Sequence, residues 1–307
     1  MEKKLNRLGY IDFGKGIAIL CVVMGHLMYS DDMKSFANFL YSFHIPFFFF
    51  LSGIVLSLSG NFGFKKFCLR SLSLLLPFCS WGGVICIVLS KNMFSEYWFL
   101  SVLWLYTAGY YGFLFLGRHK KMASYFFMAT ALVFMTLTCI YTRNSIVYKV
   151  CYFSLSYVIP FVLGTVFLQI KSIIPKYNFL YLLFFAIAYF FFDGFNVELK
   201  NQLLKNVTGV CASLLLVQLC EKSNPDNRVV SLVSYVGRHT LIIYLVHYFF
   251  LEHIALSASL LAFCAYAMLA IIIVLFCLGI EKVMRLSEIM SFIALGKIPK
   301  KMNGCIT

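Results

Sequence analysis

KGIAILCVVMGH (Lys15–His26) decides how this chain is read. Everything between its ends is apolar or glycine, yet it opens on a lysine and closes on a histidine, both costly in hydrocarbon. In a helix turning ~100° per residue, eleven residues make three turns plus ~20°, so Lys15 and His26 share a face. Asp12 falls ~40° to the other side of His26, which makes Asp12, Lys15, Ile19, Val22 and His26 one stripe. His26 lies ~16 Å along the axis from Lys15. Gly14, Gly16 and Gly25 flank the stripe and let a ligand or another helix come close. A lysine at a helix end can simply snorkel to the interface, and a histidine can simply be packed. Two ionisable groups on one stripe point instead to a cavity or a proton path.

The surrounding sequence supplies the membrane. Of 307 residues, 62% are hydrophobic and 12% charged, with a mean hydropathy of +0.87 and 34 phenylalanines. A soluble domain of this length carries far less apolar sequence. Polar residues gather in short clusters between long apolar runs, as in a polytopic membrane protein. The expected fold is an all-α membrane bundle of about ten transmembrane helices, near 12–30, 36–59, 68–90, 97–117, 122–141, 148–169, 177–193, 204–220, 231–251 and 257–280. The longest polar stretch, Glu221 to Arg228, is short, so one transmembrane domain over 1–307 is expected, without a linker or soluble domain. Residues 1–10 are basic, but no small-residue cleavage site follows, so the first span is expected to stay as a signal-anchor. No internal repeat is visible, which gives an inverted-repeat transporter no support.

The formal net charge of +14 is a matter of topology. Alternate loops hold 19 lysines and arginines on one side against six on the other. The positive-inside rule then puts both termini in the cytoplasm and makes the helix count even. No nucleic-acid partner is needed to explain the charge. The eleven cysteines are scattered through apolar runs with no Cys-x-x-Cys, so they read as small apolar side chains rather than metal ligands.

Five patches, in order, resemble the acyltransferase 3 family of integral membrane acyltransferases. IDFGKGIAILCVVMGH (Ile11–His26) resembles the family's first span, with Arg or Lys, ten residues, then His. YSFHIPFFFFLSGIVLS (Tyr41–Ser57) resembles its His-x-Pro, aromatic run and Ser-Gly. FKKFCLRSLSLLLP (Phe64–Pro77) is similar to the basic stretch before its third span, and YWFLSVLW (Tyr97–Trp104) to its Trp-Phe-Leu motif. VGRHTLIIYLVH (Val236–His247) resembles its Gly-basic-x-Ser/Thr and Tyr-x-x-His pattern. The resemblance is to the single-domain branch that includes fucose 4-O-acetylase-like proteins. In one departure, Arg70 is present but Ser73 stands where a second arginine often follows three residues later, and Lys65 or Lys66 is the nearest substitute charge.

The resemblance implies a multi-pass enzyme of the bacterial inner (cytoplasmic) membrane. It would move acetyl from acetyl-CoA, or another acyl group such as succinyl, to a sugar or lipid-linked glycan, with membrane lipid around it and no metal. Such transfer needs a base near the hydroxyl, a site for the leaving CoA and a donor for the oxyanion. His26 is the one residue of the first span that can act as base near neutral pH, and a covalent acyl-histidine is the other role open to it. Lys15, Arg70, Lys66 and Arg238 are candidates for the anionic donor, Arg through its planar fork and Lys as a point charge, with Lys15 and Arg70 for the donor or its thioester end and Lys15 counted with His26 as catalytic. Lys66 and Arg238 also read as plain cytoplasmic-side charge.

Asp12, His44, Ser52, Tyr244 and His247 are candidates for the cavity or acceptor. His44 either lines the cavity or bonds a backbone carbonyl freed by Pro46. Ser52-Gly53 also reads as a helix-packing pair. Tyr97, Trp98 and Trp104 read first as interfacial anchors, and His119 as a solvated loop residue. Two other readings stand beside the enzyme: a transporter or exporter of a glycan or glycolipid, and a structural subunit of an envelope-polymer synthesis complex.

Overall fold

The computed structural model describes residues 8–28, 31–59, 63–116, 156–174, 178–193, 199–251 and 259–298. Among these residues the regular structure is entirely helical. The helices are α1 (Gly9–Leu27), α2 (Lys34–Tyr41), α3 (His44–Leu58), α4 (Phe64–Leu89), the short α5 (Met93–Glu96), α6 (Trp98–Leu116) and α7 (Val158–Ile170). Then come α8 (Asn178–Phe190), α9 (Leu199–Lys222), α10 (Arg228–Arg238), α11 (Thr240–Val246), which runs into a 3-10 turn (His247–Phe250), α12 (Leu260–Met284) and α13 (Glu288–Leu295).

Six segments are long and apolar enough to cross a membrane: Gly9–Leu27, Asp31–Leu58, Phe64–Leu89, Trp98–Phe115, Asn201–Lys222 and Leu260–Met284. A seventh is the pair Arg228–Arg238 and Thr240–Phe250, bent by 66°. Against an expectation of about ten for the whole chain, there are thus six or seven candidate spans among the described residues. The expected span 122–141 and the first part of 148–169 lie outside them. In the rest of 148–169 and in 177–193 the helices are Val158–Ile170 and Asn178–Phe190, of 13 residues each. At ~1.5 Å per residue these are too short for a ~30 Å hydrocarbon core.

Local chemistry sets the breaks. Pro46 has no N–H to give to the carbonyl four residues back, so α2 stops at Tyr41 and α3 starts at His44. The Asn227 side chain accepts from the backbone N–H of Val229 and Val230 and starts α10. Ser259 and Ser287 do the same for α12 and α13. The outer faces of α8 and α12 leave Phe179, Leu182, Leu275 and Phe276 exposed, as a helix facing lipid requires.

α1 is the central element. It packs against α3, α9, α10, α11 and α12. Its contact with α10 is backbone against backbone: a Cβ on Gly16 would run into the Val233 carbonyl, and one on Gly237 into the Asp12 carbonyl. Gly53 and Gly164 make the same reciprocal contact between α3 and α7, against the carbonyls of Phe161 and Phe50. Small residues that let helices approach this closely are a main source of packing energy where no hydrophobic drive exists between helices in lipid.

Gly237→Val and Gly164→Val should each destabilise the detergent-solubilised protein by at least ~1–3 kcal/mol, because backbone cannot move aside for the new atoms. Gly83, inside α4, has open space where a Cβ would go. Gly83→Ala should be neutral or stabilise by up to ~1 kcal/mol. Thermal unfolding curves of the three variants check this contrast.

Candidate functional site

A cavity of about 230 Å³ lies between α1, α3, α4, α6, α11 and α13. Lys15, Ile19, Val22 and His26 form its α1 wall, so four members of the expected stripe share one cavity. Asp12 does not line it. It sits ~60° round the helix from Lys15, which turns it toward α10; it is buried there, with its carbonyl against Gly237. Ile45, Phe48 and Ser52 come from α3, and Arg70, Ser73 and Leu74 from α4. Trp98, Phe99, Leu100 and Leu103 come from α6, and Thr240, Leu241 and Tyr244 from α11. Tyr248 of the 3-10 turn and Leu295 of α13 complete the wall.

The two ends differ in chemistry. At one, Gly237 lies against Asp12 and Gly16, which brings the α10–α11 break and its Thr240 beside Lys15. Ser73, one turn beyond Arg70, touches Gly296, so Arg70, Ser73 and Leu295 share that corner. Lys15 and Arg70 thus give this end its cationic character. At the other end His26 Nε2 is 3.4 Å from the Tyr248 hydroxyl. The His26 ring centroid is 5.2 Å from that of Tyr248 and 5.3 Å from that of His247.

His44 and His247 stand behind the wall rather than in it. Both are fully buried. His44 Nδ1–H donates to the Leu40 carbonyl at 2.5 Å, and His247 Nδ1–H to the Ile243 carbonyl at 3.0 Å. His44 therefore has a backbone partner, but it is an end carbonyl of α2 and not the Ser42 carbonyl that Pro46 leaves open. With Nδ1 protonated, each ring keeps a lone pair on Nε2, and neither Nε2 has a hydrogen-bond partner.

The hydroxyls of the wall are tied down. Ser52 Oγ donates to the Phe48 carbonyl at 2.8 Å. Tyr244 lines the cavity with its ring, while its hydroxyl accepts from Phe99 N–H at 3.3 Å and donates to the Glu96 carbonyl at 3.1 Å.

Lys66 and Arg238 are outside the cavity wall. Lys66 is exposed and reaches the Ser59 carbonyl at 3.5 Å. Arg238 is exposed with its guanidinium 5.5 Å from the Tyr235 ring centroid. Neither Lys65 nor Lys66 replaces the missing second arginine in the wall.

The three aromatics expected at the interface all make tertiary contacts. Tyr97 is fully buried and donates to the Leu245 carbonyl at 2.6 Å. Trp98 lines the cavity and stacks on Tyr157 at 5.5 Å. Trp104 Nε1–H donates to Ser71 Oγ at 3.1 Å, joining α6 to α4. His119 lies outside the described residues. Among the described residues no three His, Cys, Asp or Glu side chains are placed to hold a metal ion.

Two wall residues escaped the sequence reading. Tyr248 directly follows the last patch. It lines the cavity, while the His247 ring packs against it with centroids 4.2 Å apart and stays out of the wall. Leu295 carried no signal, because its short helix lies past the last expected span.

The acyltransferase 3 family model, an acyltransferase domain, matches residues 8–282 of the 307. No curated protein and no solved structure matches the chain.

Tyr97→Phe should destabilise the protein by ~1–3 kcal/mol, since the buried Leu245 carbonyl loses its donor. Lys66→Ala, outside the wall, should stay within ~0.5 kcal/mol. Thermal unfolding of the two variants separates the buried hydroxyl from the surface charge.

Proposed function

The chain belongs to the acyltransferase 3 family of membrane acyltransferases, and from that premise we propose that it is an O-acyltransferase. It moves an acetyl group from acetyl-CoA to a sugar hydroxyl of a cell-envelope polysaccharide or its lipid-linked precursor. The observation that carries this reading is the polarity of the cavity, with Lys15 and Arg70 in the wall near one end and His26 beside Tyr248 at the other.

The cationic end faces the cytoplasm of a bacterial cell, where the basic loops point under the positive-inside rule and where acetyl-CoA is made. The cations draw the anionic donor and orient its arm. The thioester then extends along the α1 wall toward His26, ~16 Å away along the helix. His26 Nε2 takes the proton of the acceptor hydroxyl as the oxygen adds to the thioester carbonyl. Collapse breaks the C–S bond, the ester remains on the sugar, and the CoA thiolate leaves and recovers the proton from the imidazolium. Tyr248 O–H releases Nε2 to the acceptor and donates to the carbonyl oxygen as negative charge develops there. His44 and His247 hold the surroundings of His26 rigid from behind.

The test is mass spectrometry of the host's surface polysaccharide, with the gene deleted, restored, or restored as His26→Ala at matched membrane levels. Loss of an acyl mass increment on deletion, rescued by wild type alone, is expected. Unchanged acylation with less polymer at the surface would show an exporter instead. In purified protein, His26→Ala should lower the acyl-transfer rate roughly 100- to 10,000-fold, the usual range for a general base. Tyr248→Phe should lower it about tenfold, equivalent to one hydrogen bond of ~1.4 kcal/mol in the transition state. Neither substitution should change the thermal unfolding temperature by more than a few degrees.

A further inference from the structure

The end of the cavity near Lys15 is bordered by a cluster of charges that the reaction above does not use. Glu281, near the end of α12, has a side chain only 6% exposed. Its Oε1 accepts from Arg285 Nη2 at 2.6 Å, from Arg285 Nε at 3.0 Å and from Lys297 Nζ at 3.1 Å. Its Oε2 accepts from His239 Nδ1 at 2.6 Å. The Arg285 and Lys297 side chains are 45% and 43% exposed. Two fixed cations thus meet one carboxylate, which leaves an excess of positive charge.

Donors also remain. The guanidinium has five N–H groups and the ammonium three, while the bonds to Glu281 take two of the first and one of the second. The carboxylate fixes both cations in place without neutralising them.

The cluster abuts the cavity on two sides. His239 immediately precedes Thr240, and Lys297 follows Leu295 by two residues; Thr240 and Leu295 both line the wall. Gly296, between Leu295 and Lys297, adopts the left-handed backbone (φ +61°) and rests on the Ser73 backbone. Lys297 is thereby held next to the corner that Arg70 and Ser73 occupy. Arg285 and Lys297 also lie beyond the 8–282 stretch that the family model covers.

We propose that Arg285 and Lys297, held by Glu281 and backed by His239, bind the nucleotide phosphates of the acyl donor. The thioester arm then enters past Lys15 and Arg70 toward His26. This rests on the acyl-CoA reading given above. A planar fork and a point charge side by side suit a group with several phosphate oxygens. A phospholipid headgroup offers similar oxygens, so the experiment must separate the two sources.

The full-length protein, in nanodiscs of phosphatidylcholine, is titrated calorimetrically with CoA and with adenosine 3′,5′-bisphosphate. Turnover is followed in parallel with acetyl-CoA and with S-acetylpantetheine, which carries no nucleotide. Wild type should bind both nucleotides. Arg285→Gln and Lys297→Gln should each weaken binding of both about tenfold and raise KM for acetyl-CoA without lowering kcat. Turnover of S-acetylpantetheine should be unchanged, and Arg285→Lys should recover most of the affinity.

Unaltered CoA binding in both Gln variants would overturn the proposal. So would an equal loss with S-acetylpantetheine, which would reduce the cluster to a structural clamp on α13. If nucleotide binding survives in the Gln variants while binding of added phosphatidylglycerol is lost, the site belongs to lipid and the proposal falls. If wild type neither binds CoA nor turns over either thioester, the donor reading itself has failed.

Discussion

The contact between α1 and α10 is the constraint on which the rest depends. With glycine at 16 and 237, the two backbones touch where side chains would normally stand between them. Ordinary side-chain packing would hold helices at their usual separation. Here the start of α1 and the end of α10 are locked together, and the chain bends by 66° immediately after. That bend puts Thr240, Leu241 and Tyr244 into the same cavity as Lys15 and His26. A wider α1–α10 spacing would carry α11 and the Tyr248 turn away from His26.

Within this frame the polar groups fall into two sets. The hydroxyls of Ser52, Tyr97 and Tyr244 are bound to backbone groups, so they stiffen the wall. The imidazoles of His44 and His247 spend only Nδ1 on the backbone. Their Nε2 lone pairs remain unpartnered inside a membrane domain, where an unmade hydrogen bond is expensive. Of the two, His247 stands directly against the cavity-lining His26, with ring centroids 5.3 Å apart. Preorganised polar groups in a site shielded from water need little rearrangement when charge develops.

Much of this was legible because helix periodicity is simple. The Lys15–His26 stripe needed only the turn angle, and four of its five residues share the cavity. Asp12 departed because one further turn rotates the stripe into the α10 contact, which no local pattern reports. His44 and His247 stand behind the wall rather than in it, since their neighbours Ile45 and Tyr248 take the lining positions, which helix periodicity alone does not report. Hydropathy found the apolar runs but could not tell a full span from the 13-residue helices α7 and α8, nor foresee the bend at His239. Tyr97 and Trp104 read as interfacial by composition. Their tertiary hydrogen bonds to the Leu245 carbonyl and to Ser71 carry no local sequence signal, and Tyr97 is fully buried by its neighbours.

Ser73 and the end of α13 meet at one corner of the cavity. Ser80 and Trp81 donate to the Ile293 and Ala294 carbonyls, each near 3.1 Å or closer, satisfying orphan groups at the end of α13. The chain then turns through Gly296, whose backbone lies directly on that of Ser73. Ser73 and Leu295 both line the cavity at this corner, and the serine hydroxyl folds back onto the Arg70 carbonyl at 2.8 Å. What the third patch lacks in charge, the C-terminal strap returns from the other side of the same corner. Lys297 and Arg285 stand there on Glu281, outside the hydrocarbon-lined cavity rather than within it, where a cation keeps part of its hydration and is less costly to hold.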